Sequence, residues 1–501
     1  MKKRILALTM AMVMVAGSMV ACGKETTPET TPDGGDATVV DDGETTTPDG
    51  GDTTVVEKPE EDLTAVDAAK MEVPDTSAWT DADKIYVYSW NDEFGNRLAR
   101  VTGSEIYGVN PGDKDDNGND IYVEGAYPEL AQFVEYINLG CSGTDGTYQQ
   151  KLDAAWGTAE HPSLIACDND VAKYFTESDM TLNLYDLGIT DDMYANSYDF
   201  AVQYAKYGDE LKALTWQAPA GNISYRADIA EEVLGVSEPD DVQAFVKDWD
   251  TFFDTADKMK EAGYAMVSSY DEIKYACWDQ QTQPWVKVDA DGSETLQLDS
   301  AVEMYFEYAK KLADGGYIQN VDATMWSDGW NANYDGDVFC YFGCTWAVYW
   351  CLKADATYGD WRVTEGPVGY HWGGTYVAVT DGCPNTELAA FLAYSLCCDE
   401  DIMYRIAVET KDFVNNKAAI AKEVANGDGA DALLGGQNPV ATWAESAKKI
   451  NLSNACYLDS EIKTMIDSAA KLLIAGDVDV AGAIENVKSQ VAEKYDYITV
   501  E

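Results

Sequence analysis

The run Asp113-Lys114-Asp115-Asp116-Asn117-Gly118-Asn119-Asp120-Ile121-Tyr122-Val123-Glu124 fits the calcium-loop pattern D-x-[DN]-x-[DN]-G-x5-E at every defined position. Oxygen ligands from Asp113, Asp115, Asn117, Asn119 and Glu124 would converge on one cation, Gly118 would allow the tight turn, and Glu124 would close the shell in bidentate fashion. Two features depart from a helix-flanked loop. Asp120 stands where an aliphatic residue is usual, and Asn110-Pro111-Gly112 precludes an incoming helix. A polar surface turn rich in Asp, Asn and Gly is the competing reading, and any calcium held here would be structural.

Catalytic chemistry finds few parts. The chain has only two histidines, His161 and His371, and lacks G-x-S-x-G, HExxH and G-x4-GK[ST], which leaves serine esterase, zincin and nucleotide-hydrolase readings without their residues. His371, beside Trp372, reads as a packed or hydrogen-bonding residue rather than a base. A surface glycoside hydrolase needs only two carboxylates at a fixed separation, and 89 acidic residues do not exclude such a pair. A calcium-organised surface adhesin is a third class. Cys340, Cys344 and Cys351 have neither CxxC spacing nor a nearby histidine, so they do not make a metal site. Most of the 11 cysteines read as buried thiols of an organism living without oxygen; one or two disulfides are not excluded, although the vicinal Cys397-Cys398 pair is a poor candidate for one.

The elements that must position any site alternate between strand and helix. Lys84-Ile85-Tyr86-Val87-Tyr88-Ser89-Trp90 reads as an opening strand that leads into a loop at Trp90-Asn91-Asp92. Helix-like spacing over 128–136 leads into a second strand at 133–137, 148–156 looks helical, and 163–167 reads as a short buried strand with Asp168 at its end. Apolar stripes over 249–262, 300–312 and from Ile462 to Val491 predict further helices, with a break at Gly476. Such alternation implies open α/β lobes with ligands at the carboxyl ends of the strands.

Charge and the first part of the chain set the compartment. Lys2, Lys3 and Arg4 precede an apolar run and then Met19-Val20-Ala21-Cys22-Gly23, the layout of an export signal, and the run is too short for a confident membrane span. From Gly23 the composition is Thr, Pro, Asp, Gly and Glu, with a near-exact duplication at 30–40 and 46–56, which reads as a disordered acidic linker (23–80). The balance of 89 acidic against 34 basic residues gives a formal charge of −55 with no basic cluster, so nucleic acid and anionic headgroups are excluded as partners. The remaining length, about 420 residues, makes two or more domains the default expectation.

Residues 19–23 resemble a bacterial lipoprotein lipobox, with Met19 where leucine is usual, which implies acyl chains on Cys22 after cleavage of 1–22 and a place on the extracellular face of the cell membrane. The folded part, from about 84 to 498, resembles the extracellular solute-binding proteins of carbohydrate ABC importers. Four places carry the resemblance: the opening strand into Trp90-Asn91-Asp92-Glu93; Trp216-Gln217-Ala218-Pro219 followed by Ile223-Ser224-Tyr225-Arg226-Ala227-Asp228; Phe342-Gly343-Cys344-Thr345-Trp346-Ala347; and Gly366-Pro367 onward to Trp372-Gly373-Gly374-Thr375-Tyr376-Val377. It implies an α/β fold of two interleaved lobes, each a mixed sheet flanked by helices. Lobe 1 would take 81–217 and 371–430, lobe 2 would take 218–370 and 431–501, and the lobes would close on a sugar for delivery by a monomer to an ABC permease.

A neutral sugar offers C–H faces that lie on aromatic rings and hydroxyls that need paired donors and acceptors. The candidates at strand ends or crossovers are Trp90, Asp92, Asp168, Trp216, Tyr225, Trp278, Trp285, Trp346 and Trp372. Trp90 and Trp346 fall on positions that line the cleft in the family, whereas Trp326, Trp330 and Trp350 are more readily read as packing rings.

Overall fold

Alternation of β-branched and aromatic residues makes the first strand, β1 (Ile85–Ser89), in which Ile85 and Val87 are fully buried. The other strands of the two principal sheets are, in chain order, β2 (Val134–Asn138), β3 (Pro162–Asp168), β4 (Leu214–Thr215), β5 (Gly221–Arg226), β6 (Cys340–Cys344), β7 (Trp361–Thr364) and β8 (Thr375–Val379). This computed structural model describes residues 65–103, 122–144, 146–332, 334, 336–352 and 355–500. The export signal with Cys22, most of the linker, and Asp113, Asp115, Asn117 and Asn119 lie outside the described residues.

The first sheet has five strands in the order β2-β1-β3-β8-β4. β1 runs parallel to β2 and β3, whereas β8 is antiparallel to both β3 and β4, so the sheet is mixed. Its middle strand β3 is buried along nearly its whole length, which a run of Leu164, Ile165, Ala166 and Cys167 permits because helices cover both faces. The second sheet has β5 in the middle, antiparallel to β6 and β7. Single parallel bridges from Ala265 to Val338 and from Val267 to Ile318 extend it, giving it mixed character as well. Helices Trp249–Ala262, Ser300–Gly315, Asp459–Ala475 and Val480–Lys494 supply one core of this lobe through Phe252, Tyr305, Ile462 and Val487.

Residues 65–80, read from composition as the end of the linker, are fixed to the domain instead. Val66 exchanges two 2.9 Å hydrogen bonds with the Asn196 side chain, Ala69 N–H donates to Asp192 O at 3.0 Å, and Trp79 packs edge-on against Phe133 with centroids 5.2 Å apart. The stretch expected to be helical before β2 is a 3-10 helix, Pro128–Phe133, with Pro128 in its first turn. Burial pushes the Cys167, Cys277, Cys340, Cys344 and Cys397 thiols well up, so they behave as small apolar side chains.

The chain passes between the sheets at two adjacent crossovers. Ala220 bridges His371, Gly221 N–H donates to Tyr370 O at 2.6 Å, and Trp372 N–H donates to Pro219 O at 3.2 Å. A Cβ at Gly221 would lie 2.4 Å from the Tyr370 ring, whose hydroxyl is held between the carbonyls of Asn222 and Gly343 at 2.9 and 2.5 Å. The ring cannot step aside. Gly221→Ala should therefore destabilise the chain by about 1–3 kcal/mol, read from urea unfolding; a stability equal to the parent would show that the crossover yields.

Candidate functional site

Asp168 ends β3 and begins the helix Asn169–Thr176, whose first turn it caps by accepting the Asp170 N–H at 2.9 Å. In the next strand of the sheet it pairs with Thr375, and Asn169 N–H donates to Gly374 O at 2.9 Å. The strand end is thereby set beside Trp372-Gly373-Gly374, the turn by which the chain returns from the second lobe. Gly373 and Gly374 have φ of +75° and +105°, a conformation that side chains resist, and a Cβ at Gly373 would meet Trp346 Nε1 at 3.3 Å.

Three indoles gather against that turn. Trp346, on the helix Thr345–Cys351 directly after β6, donates from Nε1 to Trp372 O at 3.0 Å, and the two rings meet edge-on with centroids 4.9 Å apart. Trp326 lies parallel to Trp346, at 6.0 Å and 5°, and edge-on to Trp372 at 5.6 Å. Tyr275 stacks on the Trp372 ring at 4.9 Å and 20°. Two of the sequence candidates, Trp346 and Trp372, thus lie together, beside Trp326 and Tyr275.

Carboxylates stand on the first-lobe side. Burial pushes the Asp168 carboxyl up to about 8; the charges of Asp170 and Glu93 add to this, and the Asp170 N–H opposes it. Glu93 is also raised by burial, partly offset by Arg97, and its Oε1 accepts from Gln217 Nε2 at 2.8 Å. Glu93 is not among the sequence candidates, although its i,i+4 spacing to Arg97 is a signal for a held carboxylate. Asp92 is exposed and bonded to Asn138. Trp90 is only 8% exposed, edge-on to Tyr148 at 5.8 Å.

A second polar chain joins the lobes. His371 Nδ1 is 2.6 Å from Asp279 Oδ2, which also accepts the His371 N–H at 2.7 Å, and His371 Nε2 is 3.2 Å from Asn169 Oδ1. Burial would raise the Asp279 carboxyl, but the His371 charge and hydrogen bonds outweigh it and hold the group below its ordinary value.

Four candidates are corrected. Trp216 and Trp285 are fully buried and donate to Asp412 at 3.2 Å and Asp299 at 3.1 Å. Tyr225 is fully buried with its hydroxyl on Ser237 O at 2.8 Å, and Trp278 is walled in by Tyr275 and Tyr305. These rings fill cores, because a large apolar surface next to a strand or crossover is most cheaply kept from water by burying it. Of the proposed calcium ligands only Glu124 is described; it is exposed, and its carbonyl accepts from Arg405 at 3.0 Å. Among the described residues no group of three or more His, Cys, Asp or Glu is placed to hold a metal, and no helix is long and apolar enough to cross a membrane.

Two lobes with a ring-lined crossover between them define the class of hinged solute-binding proteins, and comparison with known proteins agrees. The pattern that defines the family described as bacterial extracellular solute-binding protein matches residues 137–410, more than half of the chain, and the chain belongs to that family. No curated protein sequence matches it. Among solved structures, an extracellular solute-binding protein of family 1 is similar at a TM-score of 0.65 and 17% identity, over 82% of this chain and 99% of that one. The sugar-binding protein MalE from the phytopathogen Xanthomonas citri is similar at 0.61 and 15%, over 82% and 97%. The galacto-N-biose-/lacto-N-biose I-binding protein from Bifidobacterium longum, solved in complex with lacto-N-biose, is similar at 0.59 and 14%, over 82% and 96%.

Because folding raises the Asp168 carboxyl, the folded chain keeps a proton there that the unfolded chain has released. This group's contribution to stability is therefore greatest below pH 3.8 and falls as pH rises towards about 8. Asp168→Asn should remove that part of the slope of Tm against pH in this window; an unchanged slope would place the titrating group elsewhere.

Proposed function

We propose that the chain captures a sugar or oligosaccharide between its lobes and passes it unaltered to the permease of an ABC importer. In this reading it works as a monomer on the extracellular face of a bacterial membrane, tethered through an acylated Cys22. The observation that carries the proposal is the cluster of Trp346, Trp372 and Trp326 at the crossover turn whose Gly374 O accepts from Asn169, next to Asp168. Indole faces match the C–H faces of a pyranose, and carboxylate and amide oxygens match its hydroxyls. The names of the solved relatives, two of which are sugar-binding, support the ligand class.

Binding is favoured over hydrolysis by how the nearby acids are occupied. Asp168 is engaged as a helix cap, and Glu93 is engaged by Gln217 and Arg97. A hinged trap needs only that the solute touch both lobes in one state more than in another.

Neutral mono- and oligosaccharides at millimolar concentration should raise Tm by mass action, with no new reducing ends after incubation. A panel without any shift, or with bond cleavage, would contradict the reading. Trp346→Ala should abolish the shift while the variant still folds, at a lower unliganded Tm; a retained shift would make that ring scaffold. Structural calcium at loop 113–124 belongs to the same reading. Chelation should lower Tm, and calcium at about 10⁻³ M should restore it; indifference to both would make the loop a plain polar turn.

A further inference from the structure

Trp326 is unusual on two independent counts. It is 53% exposed in a chain whose other tryptophans are mostly buried, and its φ of +69° puts a bulky side chain in the left-handed region. Neither core packing nor the local sequence accounts for such a residue. Outliers of this kind persist where the surroundings over-determine them, and they concentrate at ligand clamps.

The surroundings here are two adjacent buried acids. Asp271, 7% exposed, accepts the Met325 N–H with both oxygens at 3.1 and 3.2 Å and also bonds Ser269. Glu272, 1% exposed, accepts from Trp330 Nε1 at 3.2 Å, Phe342 N at 3.1 Å and Ser268 N at 2.9 Å. These partners are all N–H and O–H donors, and burial pushes the Glu272 carboxyl well above its ordinary value. Burying two neighbouring acids is costly, and a core of apolar side chains would be cheaper. What they secure is the segment on either side of Trp326: Met325 is held by its backbone and Trp330 by its ring, and both side chains are buried.

We propose that Trp326 is the outer ring wall of the solute site, taking the C–H face of a sugar beside Trp346 and Trp372, and that Asp271 and Glu272 are positioning residues that hold it there. This rests on the reading of the chain as a sugar binder. Trp326 is more than half exposed beside the parallel ring of Trp346, and its contact with Trp372 sets it next to the crossover whose Gly374 O accepts from Asn169, the neighbour of Asp168.

The test is isothermal titration of the full chain with maltotriose, lacto-N-biose and β-1,6-galactobiose, alongside Trp326→Ala, Trp326→Phe, Asp271→Ala and Asp271→Asn. Trp326→Ala should weaken binding of whichever sugar binds the parent by about tenfold or more, with Trp326→Phe recovering most of it. Asp271→Ala should weaken binding in parallel and lose the near-ultraviolet circular dichroism of the Trp326–Trp346 pair, and Asp271→Asn, which keeps an acceptor for Met325, should restore both. Parent affinity in Trp326→Ala overturns the proposal while leaving sugar binding intact. Absence of binding by the parent to all three sugars overturns both. Should Asp271→Ala fail to fold, Trp326→Ala, a change at an exposed ring, decides alone.

Discussion

Two adjacent crossovers, held together by a few backbone hydrogen bonds, join the two principal sheets and set the site. Residues 217–221 leave the first sheet and 370–374 return to it, paired through Ala220 with His371, Gly221 with Tyr370 and Pro219 with Trp372. A strand of each sheet starts at this junction, β5 at Gly221 and β8 at Thr375. A short pairing of this kind concentrates any relative movement of the lobes at a few backbone torsions, while the sheets on either side keep their packing. The bonds from His371 to Asp279 and Asn169 add a polar clasp across the same junction.

The site follows from the junction. The return crossover brings Trp372 to Trp346, which the end of β6 delivers, and it brings Gly374 to the strand end at Asp168. Aromatic rings at the crossover thereby come close to the carboxyl group at the end of β3. Asp168 shows what that position costs: buried beside Asp170 and Glu93, its carboxyl is raised to about 8, and hydroxyl donors from a bound solute would relieve it.

Much of the fold could be read from the sequence because periodicity reports burial directly. The alternation in β1, the apolar run in β3 and the stripes of Trp249–Ala262 and Asp459–Ala475 each name a buried face. The site was less legible. Tryptophan fills cores as well as ligand sites, so residue type could not separate Trp346 and Trp372 from Trp216 or Trp285, which satisfy their indole N–H groups on Asp412 and Asp299. Tyr275 and Trp278 share a five-residue helix, and only the tertiary structure decides that the first reaches the crossover ring. Trp326 reads from the sequence as a packing ring, and its left-handed backbone, next to a Met325 N–H that Asp271 accepts, is visible only in the tertiary structure. The stretch 65–80 misled for the opposite reason: its composition is that of a linker, yet Asn196 and Phe133 offer it partners.

The central claim, that a solute is held by both lobes across this junction, is tested most directly by hydrogen–deuterium exchange on the full chain with and without a saturating sugar from the panel. Protection is predicted on both sides together, in peptides covering 89–97 and 168–172 of the first lobe and 323–330, 345–349 and 372–375 around the ring cluster. Protection confined to one lobe at saturation would contradict the account.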